Sequence, residues 1–173
     1  SDKYIIIYSS STLISDYYIL DANRPEGKFR QFTAREKKHE YSIEHYQNKF
    51  YIITNWNAVN FRLMETYEGS TDKKNWTEVF PHRDKVMIND IDVFQNHLVI
   101  SERKDGLRKI RIIDQISNDE HYISFSEKAY SAFTSVNKNF DTSLLRISFS
   151  SLKTPFSIID YNMNTKEKII LKK

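Results

Sequence analysis

A chain of 173 residues has the length of one ordinary domain, and 39% hydrophobic with 28% charged residues is a globular composition. A formal net charge of +3 gives no electrostatic case for nucleic acid or a membrane surface as partner, and no apolar run approaches the roughly 20 residues of a membrane helix. The absence of cysteine excludes disulfides and thiolate metal sites; it suits the cytosol or the periplasm, and the cytoplasm is the expected compartment.

Aromatic residues are abundant, with 11 Tyr and 11 Phe, and this favours strands. The predicted strands begin at Tyr4 (YIIIYS), Tyr17 (YYILDA) and Lys28 (KFRQFT). The apolar run at Tyr4 is too short for a signal peptide. A fourth kind of segment enters at Tyr41 (YSIEHY), followed by Phe50 (FYIITN), Phe61 (FRLMET) and Trp76 (WTEVFP). The same succession returns at Ile88 (INDIDVF), Leu98 (LVISER), Leu107 (LRKIRI) and His121 (HYISFS), and again at Tyr130 (YSAFTSV), Leu144 (LLRISF), Phe156 (FSIIDY) and Lys168 (KIILKK).

Like segments recur at a nearly fixed spacing. Tyr4, Phe50, Leu98 and Leu144 lie 46, 48 and 46 residues apart; the Tyr17 series is spaced 44, 46 and 49, and the Lys28 series 48, 45 and 47. Four strands in such a period make one blade of a β-propeller. The expected fold class is therefore all-β: a partial β-propeller with three complete four-stranded blades, at about residues 39–81, 85–125 and 129–172, and one incomplete blade at 3–33. A β-sandwich also has many short strands, but the fourfold phasing holds in all three complete units. The incomplete blade lacks its innermost strand, which leads us to expect a piece of a longer protein. Blade strands are covered on both faces and should read as continuous apolar runs, as Ile5-Ile6-Ile7 and Ile52-Ile53 do.

Several chemistries are excluded. The only glycines are Gly27, Gly69 and Gly106. No Gly-x-Ser-x-Gly elbow, phosphate loop or dinucleotide fingerprint can be built from them. None of His39, His45, His82, His97 and His121 has metalloprotease spacing, so they are expected to be isolated surface residues, and no metal or cofactor is expected. Asn89–Asp92 (NDID) lacks the glycine of a calcium loop; its carboxylates are expected on an inner strand facing channel water. Arg35–Lys38 (REKK) reads as a solvated connection.

Three segments carry a family resemblance. TNWNAVNFRLMET, from Thr54, resembles a segment of the prolyl oligopeptidase family. VFPHRDKVMINDIDVFQNHLVISERKDGLRKIRI, from Val79, resembles its oligopeptidase B (protease II) branch. NFDTSLLRISFSSLKTPFSIIDYNMNTKEKIILKK, from Asn139, is similar to the end of that family's propeller. The resemblance implies a seven-bladed propeller joined to an α/β-hydrolase peptidase domain that follows it, and cleavage of short peptides after Arg or Lys. It also implies that the catalytic Ser, Asp and His all lie beyond residue 173, so no catalytic residue is assigned here. The implied partners are the peptidase domain of the same chain and short basic peptides.

If the last strand runs into the peptidase domain, that domain faces the blade ends where outermost strands finish. The loops there are Ser9–Ser15, Asn55–Asn60, Glu102–Gly106 and Ser150–Pro155, with the links Ala34–Lys38 and Pro81–Lys85. Asn55, Trp56, Asn60, Arg83, Glu102, Arg103, Ser151 and Thr154 are therefore the interdomain and gating candidates. Glu102 and Arg103 are expected to form charged contacts that depend on closure. In the competing reading, Asn55, Asn60 and Ser151 only tie down loop backbone. Rival functions are a free-standing propeller that binds a peptide or glycan, and an RNA surface using Trp56, Arg62 and Lys73. The isolated chain is expected to self-associate through the open YIIIYS edge and through a last blade whose Ile147, Phe149, Ile158 and Ile159 are left uncovered.

Overall fold

The computed structural model describes residues 3–172. Lys173, from which the link to a peptidase domain was expected, lies outside the described residues. The chain forms antiparallel meander sheets grouped into two compact units, which divide after Asp84.

The first unit opens with a three-stranded sheet of β1 (Tyr4–Ser11), β2 (Ile14–Asp21) and β3 (Arg30–Gln31), paired in that order. A four-stranded sheet follows, of β4 (Tyr41–Tyr46), β5 (Lys49–Thr54), β6 (Arg62–Tyr67) and β7 (Thr77–Phe80). Ile19, Phe32, Tyr41, Phe50, Ile52, Met64 and Trp76 form its core. Phe32 meets Phe50 edge-on with ring centroids 5.0 Å apart, a preferred aromatic arrangement. The buried Trp76 indole keeps its polar edge satisfied by donating to the Thr71 carbonyl at 2.8 Å.

The second unit contains two four-stranded sheets. One is β8 (Val86–Val93), β9 (His97–Lys104), β10 (Leu107–Asp114) and β11 (Glu120–Tyr122); the other is β12 (Tyr130–Thr134), β13 (Leu144–Ser151), β14 (Ser157–Asn162) and β15 (Lys168–Lys172). Val99, Ile110, Ile112, Leu145, Ile147 and Ile159 lie in one cluster fed by both sheets. The period-two rule is plain in β13, where Leu145, Ile147 and Phe149 are buried and Leu144 and Arg146 are exposed.

The expected all-β architecture of one incomplete and three complete four-stranded sheets is present, strand type by strand type. Local expectations fared unevenly. Phe50–Thr54 in β5 and His97–Glu102 in β9 are buried continuously, as strands covered on both faces should be. In β1, however, Ile5 and Ile7 are exposed and only the alternate face is partly covered. The last sheet also departs from expectation: Ile147, Phe149 and Ile159 point into the core and Ile158 is partly buried, while Phe133, Leu144 and, on β15, Ile169, Ile170 and Leu171 are exposed. The expected loop Ser9–Ser15 contracts to the turn Thr12-Leu13, because β1 and β2 stay paired as far as Ser11 and Ile14. Glu102–Gly106 likewise contracts to Asp105-Gly106, whose φ values of 53° and 78° are those of a tight hairpin turn.

Ile147→Ala should destabilise the chain by about 2–5 kcal/mol, because it opens a cavity at a fully buried site. Leu152→Ala, at a position 96% exposed, should cost far less. Chemical denaturation followed by far-ultraviolet circular dichroism compares the two. Equal losses would show that the core is not where the packing places it.

Candidate functional site: a stitched rim of loops

Strands alternate in direction along each meander. Taking the strands that begin at Tyr41, Val86 and Tyr130 as the first type in each sheet, with the incomplete sheet starting at the second, the loops between second- and third-type strands (β1–β2, β5–β6, β9–β10 and β13–β14) lie at the same end of their sheets as the links from one sheet to the next. In the first unit, polar side chains sew these two kinds of loop together. Asn55 accepts the Glu40 N–H at 2.9 Å and donates to the Lys38 carbonyl at 3.1 Å. Asn60 donates to the carbonyls of Asp84, at 2.7 Å, and Arg83, at 3.2 Å. Residues 55–60 are thus anchored at one end to the link before their sheet and at the other to the link after it. Asn57 and Phe61 take left-handed φ values of 50° and 62°, and the Asn57 amide side chain tolerates this best. This accounts for an asparagine at 57.

Trp56 is half-buried at the foot of this loop. Arg62 and Lys73 approach its ring at 4.8 Å and 5.0 Å, and Trp76 meets it edge-on. Both cations are also engaged by carboxylates, Arg62 by Glu78 and Lys73 by Glu36. Below Trp56, the Thr54 hydroxyl accepts the Trp56 N–H at 3.1 Å and lies 2.9 Å from Nε2 of His39. His39 is buried beside Tyr41 and Trp76, and its Nδ1 has no partner. Burial, reinforced by Lys73, lowers the His39 pKa.

The second unit repeats the stitch with different residues. Ser151, the last residue of β13, and Thr154, in the β13–β14 loop, both donate hydroxyl hydrogens to Glu127 in the link before their sheet, Thr154 at 2.7 Å. The Ser151 and Thr154 hydroxyls hold the Glu127 carboxylate below its ordinary range. Ser151 Oγ also accepts the N–H groups of Lys153 and Thr154.

Glu102 requires a correction. It lies within β9 and is fully buried, where it accepts the Tyr122 hydroxyl at 2.7 Å and lies 3.6 Å from Arg111. It is a paired interior charge, not a rim residue. Its neighbour Arg103 points the other way and is exposed, opposite Arg108 on β10. The strand period of two separates the expected pair onto opposite faces.

Three of the five histidines are not surface residues either, and His82 and His121 are partly exposed. His39 and His97 are buried, and the His45 ring is packed against Glu68 at 2.7 Å. Of the NDID carboxylates, Asp90 is exposed and Asp92 half-buried; burial raises the Asp92 pKa against the opposing hydrogen bond from Thr134. Arg35 in the charge run is exposed but pairs with the buried Asp16 at 3.1 Å. Among the described residues no cluster of three or more His, Asp or Glu is arranged to hold a metal ion, and no helix is long and apolar enough to cross a membrane.

Sequence reasoning missed the apolar tips of these loops. Leu13, Val59, Leu152 and Phe156 are 48%, 81%, 96% and 62% exposed, and all lie between second- and third-type strands. An apolar residue inside an otherwise polar loop was the available signal. Glu127 was missed as well, because its partners lie 24 and 27 residues away in sequence.

Sheets of four meandering strands, repeated at this period and sewn end to end by polar loops, define a propeller domain. The family described as "Prolyl oligopeptidase, N-terminal beta-propeller domain" matches residues 1–173, and the chain belongs to it. It is 33% identical over 172 residues to dipeptidyl aminopeptidase BI of Pseudoxanthomonas mexicana, covering 99% of this chain and 24% of that protein. It is 27% identical to Protease 2 of Moraxella lacunata, covering 97% of this chain and 24% of that protein. The closed form of oligopeptidase B from Trypanosoma brucei, with covalently bound antipain, superposes with a TM-score of 0.88 at 30% identity, covering 98% of this chain and 26% of that one. The chain thus spans about a quarter of the length of these relatives.

The lowered His39 pKa fixes the sign of one pH effect. The unfolded chain takes up a proton near pH 6.5 and the folded chain resists it, so stability is lost as pH falls through 6.5 towards the folded value. Denaturation midpoints between pH 8 and about pH 5 should fall less steeply for His39→Gln than for the unmodified chain. Identical slopes would remove His39 from the titration that loosens this end of the unit.

Proposed function

We propose that this chain is the substrate-gating propeller portion of a serine oligopeptidase that cleaves short peptides after Arg or Lys. Hydrolysis belongs to a peptidase domain of the same protein, and the 173 residues themselves are non-catalytic. One observation, made in each unit separately, carries the reading: loop ends held by polar side chains (Asn55 and Asn60 in the first unit, Ser151 and Thr154 in the second) lie beside exposed apolar tips, Val59 in the first and Leu152 and Phe156 in the second. A rim of this kind suits docking against another domain, since apolar contacts ringed by polar groups are the ordinary make-up of an interface. The names Protease 2 and oligopeptidase B among the similar proteins support the peptidase assignment. The RNA reading loses support, because Arg62 and Lys73 beside Trp56 already face carboxylates. A cysteine-free chain is compatible with the cytoplasm, the compartment we propose, and equally with the periplasm.

Asn55, Trp56, Asn60, Arg83, Arg103, Ser151 and Thr154 remain the gating candidates. Glu102 supports the fold of its own sheet. In the full-length protein, Asn60→Ala would free residues 55–60 from the link that carries Arg83. Turnover of longer peptides should then change by about fivefold, the effect of roughly 1 kcal/mol, and turnover of a minimal chromogenic substrate by much less. Steady-state kinetics on both substrates measure this. Equal changes on the two would assign Asn60 a purely structural role.

Self-association of the isolated chain belongs to the same reading. The outer edge of β1 has no strand partner among the described residues, and Ile5 and Ile7 are exposed beside it. Such an edge templates pairing with another copy. Size exclusion with light scattering at micromolar concentration should show dimers or larger species. A single monomer peak would refute the idea.

A further inference from the structure

The geometry points to a binding site for the carboxylate end of a peptide in a cleft of about 490 Å³ in the second unit. The cleft exists because β11 is short. It pairs only with Arg111–Ile113, so residues 107–110 of β10 have a strand on the β9 side and none on the other. The chain after β11 turns away over this gap, held by the Ile123 N–H on the Ile110 carbonyl at 2.9 Å. Leu107, Phe125 and Tyr130 provide an apolar wall, and Lys104, Lys109 and Lys128 line the same space.

What sets these lysines apart is that three of them converge on one apolar-walled cleft; most other described lysines also lack a carboxylate partner, and Lys3, Lys49 and Lys73 each pair with a glutamate. Among the described residues, no carboxylate lies within ion-pair distance of Lys104, Lys109 or Lys128. Lys109 instead stands 5.5 Å over the Tyr130 ring. Glu127 is the acidic residue in the cleft lining, and its two oxygens are taken by Ser151 and Thr154. Three ammonium groups against one occupied carboxylate leave the cleft with an excess of two positive charges. An anion attached to an apolar or aromatic body fits this arrangement: the carboxylate meets the ammonium groups and the last side chain lies on Phe125 and Tyr130.

The cleft opens at the end of the sheet that holds the β9–β10 turn and the link from β11 to β12. This is the end at which the proposed function places the peptidase domain, and the choice of a peptide as ligand rests on that proposal. Gripping the free C-terminus would bias the enzyme towards peptides short enough to reach from this cleft to the reacting centre.

The test uses the full-length protein and two short acetylated peptides without Arg or Lys, identical except for a C-terminal carboxylate or amide. Isothermal titration at low salt should show the carboxylate form binding at least about fivefold tighter, the effect of one modest ion pair. The preference should shrink as salt is raised. Lys104→Gln with Lys109→Gln should abolish it while the unfolding midpoint stays unchanged. A third peptide, amidated but ending in Glu, separates a side-chain carboxylate from a terminal one; preference for either carboxylate over the neutral amide supports the site. Equal binding of all three peptides, or a preference that survives the double substitution, overturns it. Peptidase activity is read separately: a protein that hydrolyses basic peptides without carboxylate preference refutes the cleft alone, and carboxylate preference without hydrolysis refutes only the proposed function.

Discussion

A meander of four short strands cannot dry its own face, and the rest of this structure depends on that constraint. Each sheet presents an apolar surface that only another sheet can cover. In the second unit Val99, Ile110 and Ile112 from one sheet meet Leu145, Ile147 and Ile159 from the next. In the first unit Ile19 and Phe32 meet Phe50, Ile52 and Met64. At roughly 25 cal/mol per Å² of buried apolar surface, such contacts supply most of the stabilisation available to strands of this length. The chain has then to return from each outermost strand to the next innermost one without leaving backbone groups unpaired.

That return is where polar chemistry concentrates. A link between sheets cannot use ladder hydrogen bonds, so side chains satisfy its carbonyl and N–H groups instead. Asn55 and Asn60 do this for the links at Lys38–Glu40 and Arg83–Asp84. In the second unit the polarity is exchanged: a glutamate in the link receives two hydroxyls from the loop. Asparagine suits the first case because one amide both donates and accepts, while a hydroxyl pair suits a carboxylate that only accepts. The competing reading of Asn55, Asn60 and Ser151 as backbone ties therefore describes what these groups contact. It is compatible with a functional rim, since a docking surface has to be held in place by something other than its partner.

The strand types and their period were legible in the sequence because blade strands are apolar enough to stand out and recur at nearly constant spacing. Loop lengths were less legible. Ser9–Ser15 reads as seven loop-forming residues, yet serine is tolerated in an exposed paired strand, and β1 and β2 keep their register through it. Exposure was misjudged wherever composition alone had to decide it. Ile5 and Ile7 look like core and are exposed, whereas His39 and His97 look like surface and are buried. A lone histidine among aromatics can be buried neutral at modest cost, as the stacking of His39 on Tyr41 illustrates. The stitches were illegible for a different reason: each joins residues more than a dozen positions apart, and only the fold brings them together.

Glu102 and Arg103 show how finely this resolves. The two are adjacent, both charged and both near a turn, and their residue types give no reason to treat them differently. The β-strand period sends them to opposite faces. Glu102 goes inward, where Tyr122 and Arg111 compensate its charge, because an unpaired interior carboxylate would be strongly destabilising. Arg103 goes outward, opposite Arg108, where water screens two like charges across the strands. One residue further along, Lys104 turns towards the notch left by the short β11 and meets no carboxylate there. Three consecutive charged residues thus take three settings: an interior ion pair, a solvated cation and a cation lining a cleft. The alternation of the strand and the shortness of β11, two strands away, assign those settings.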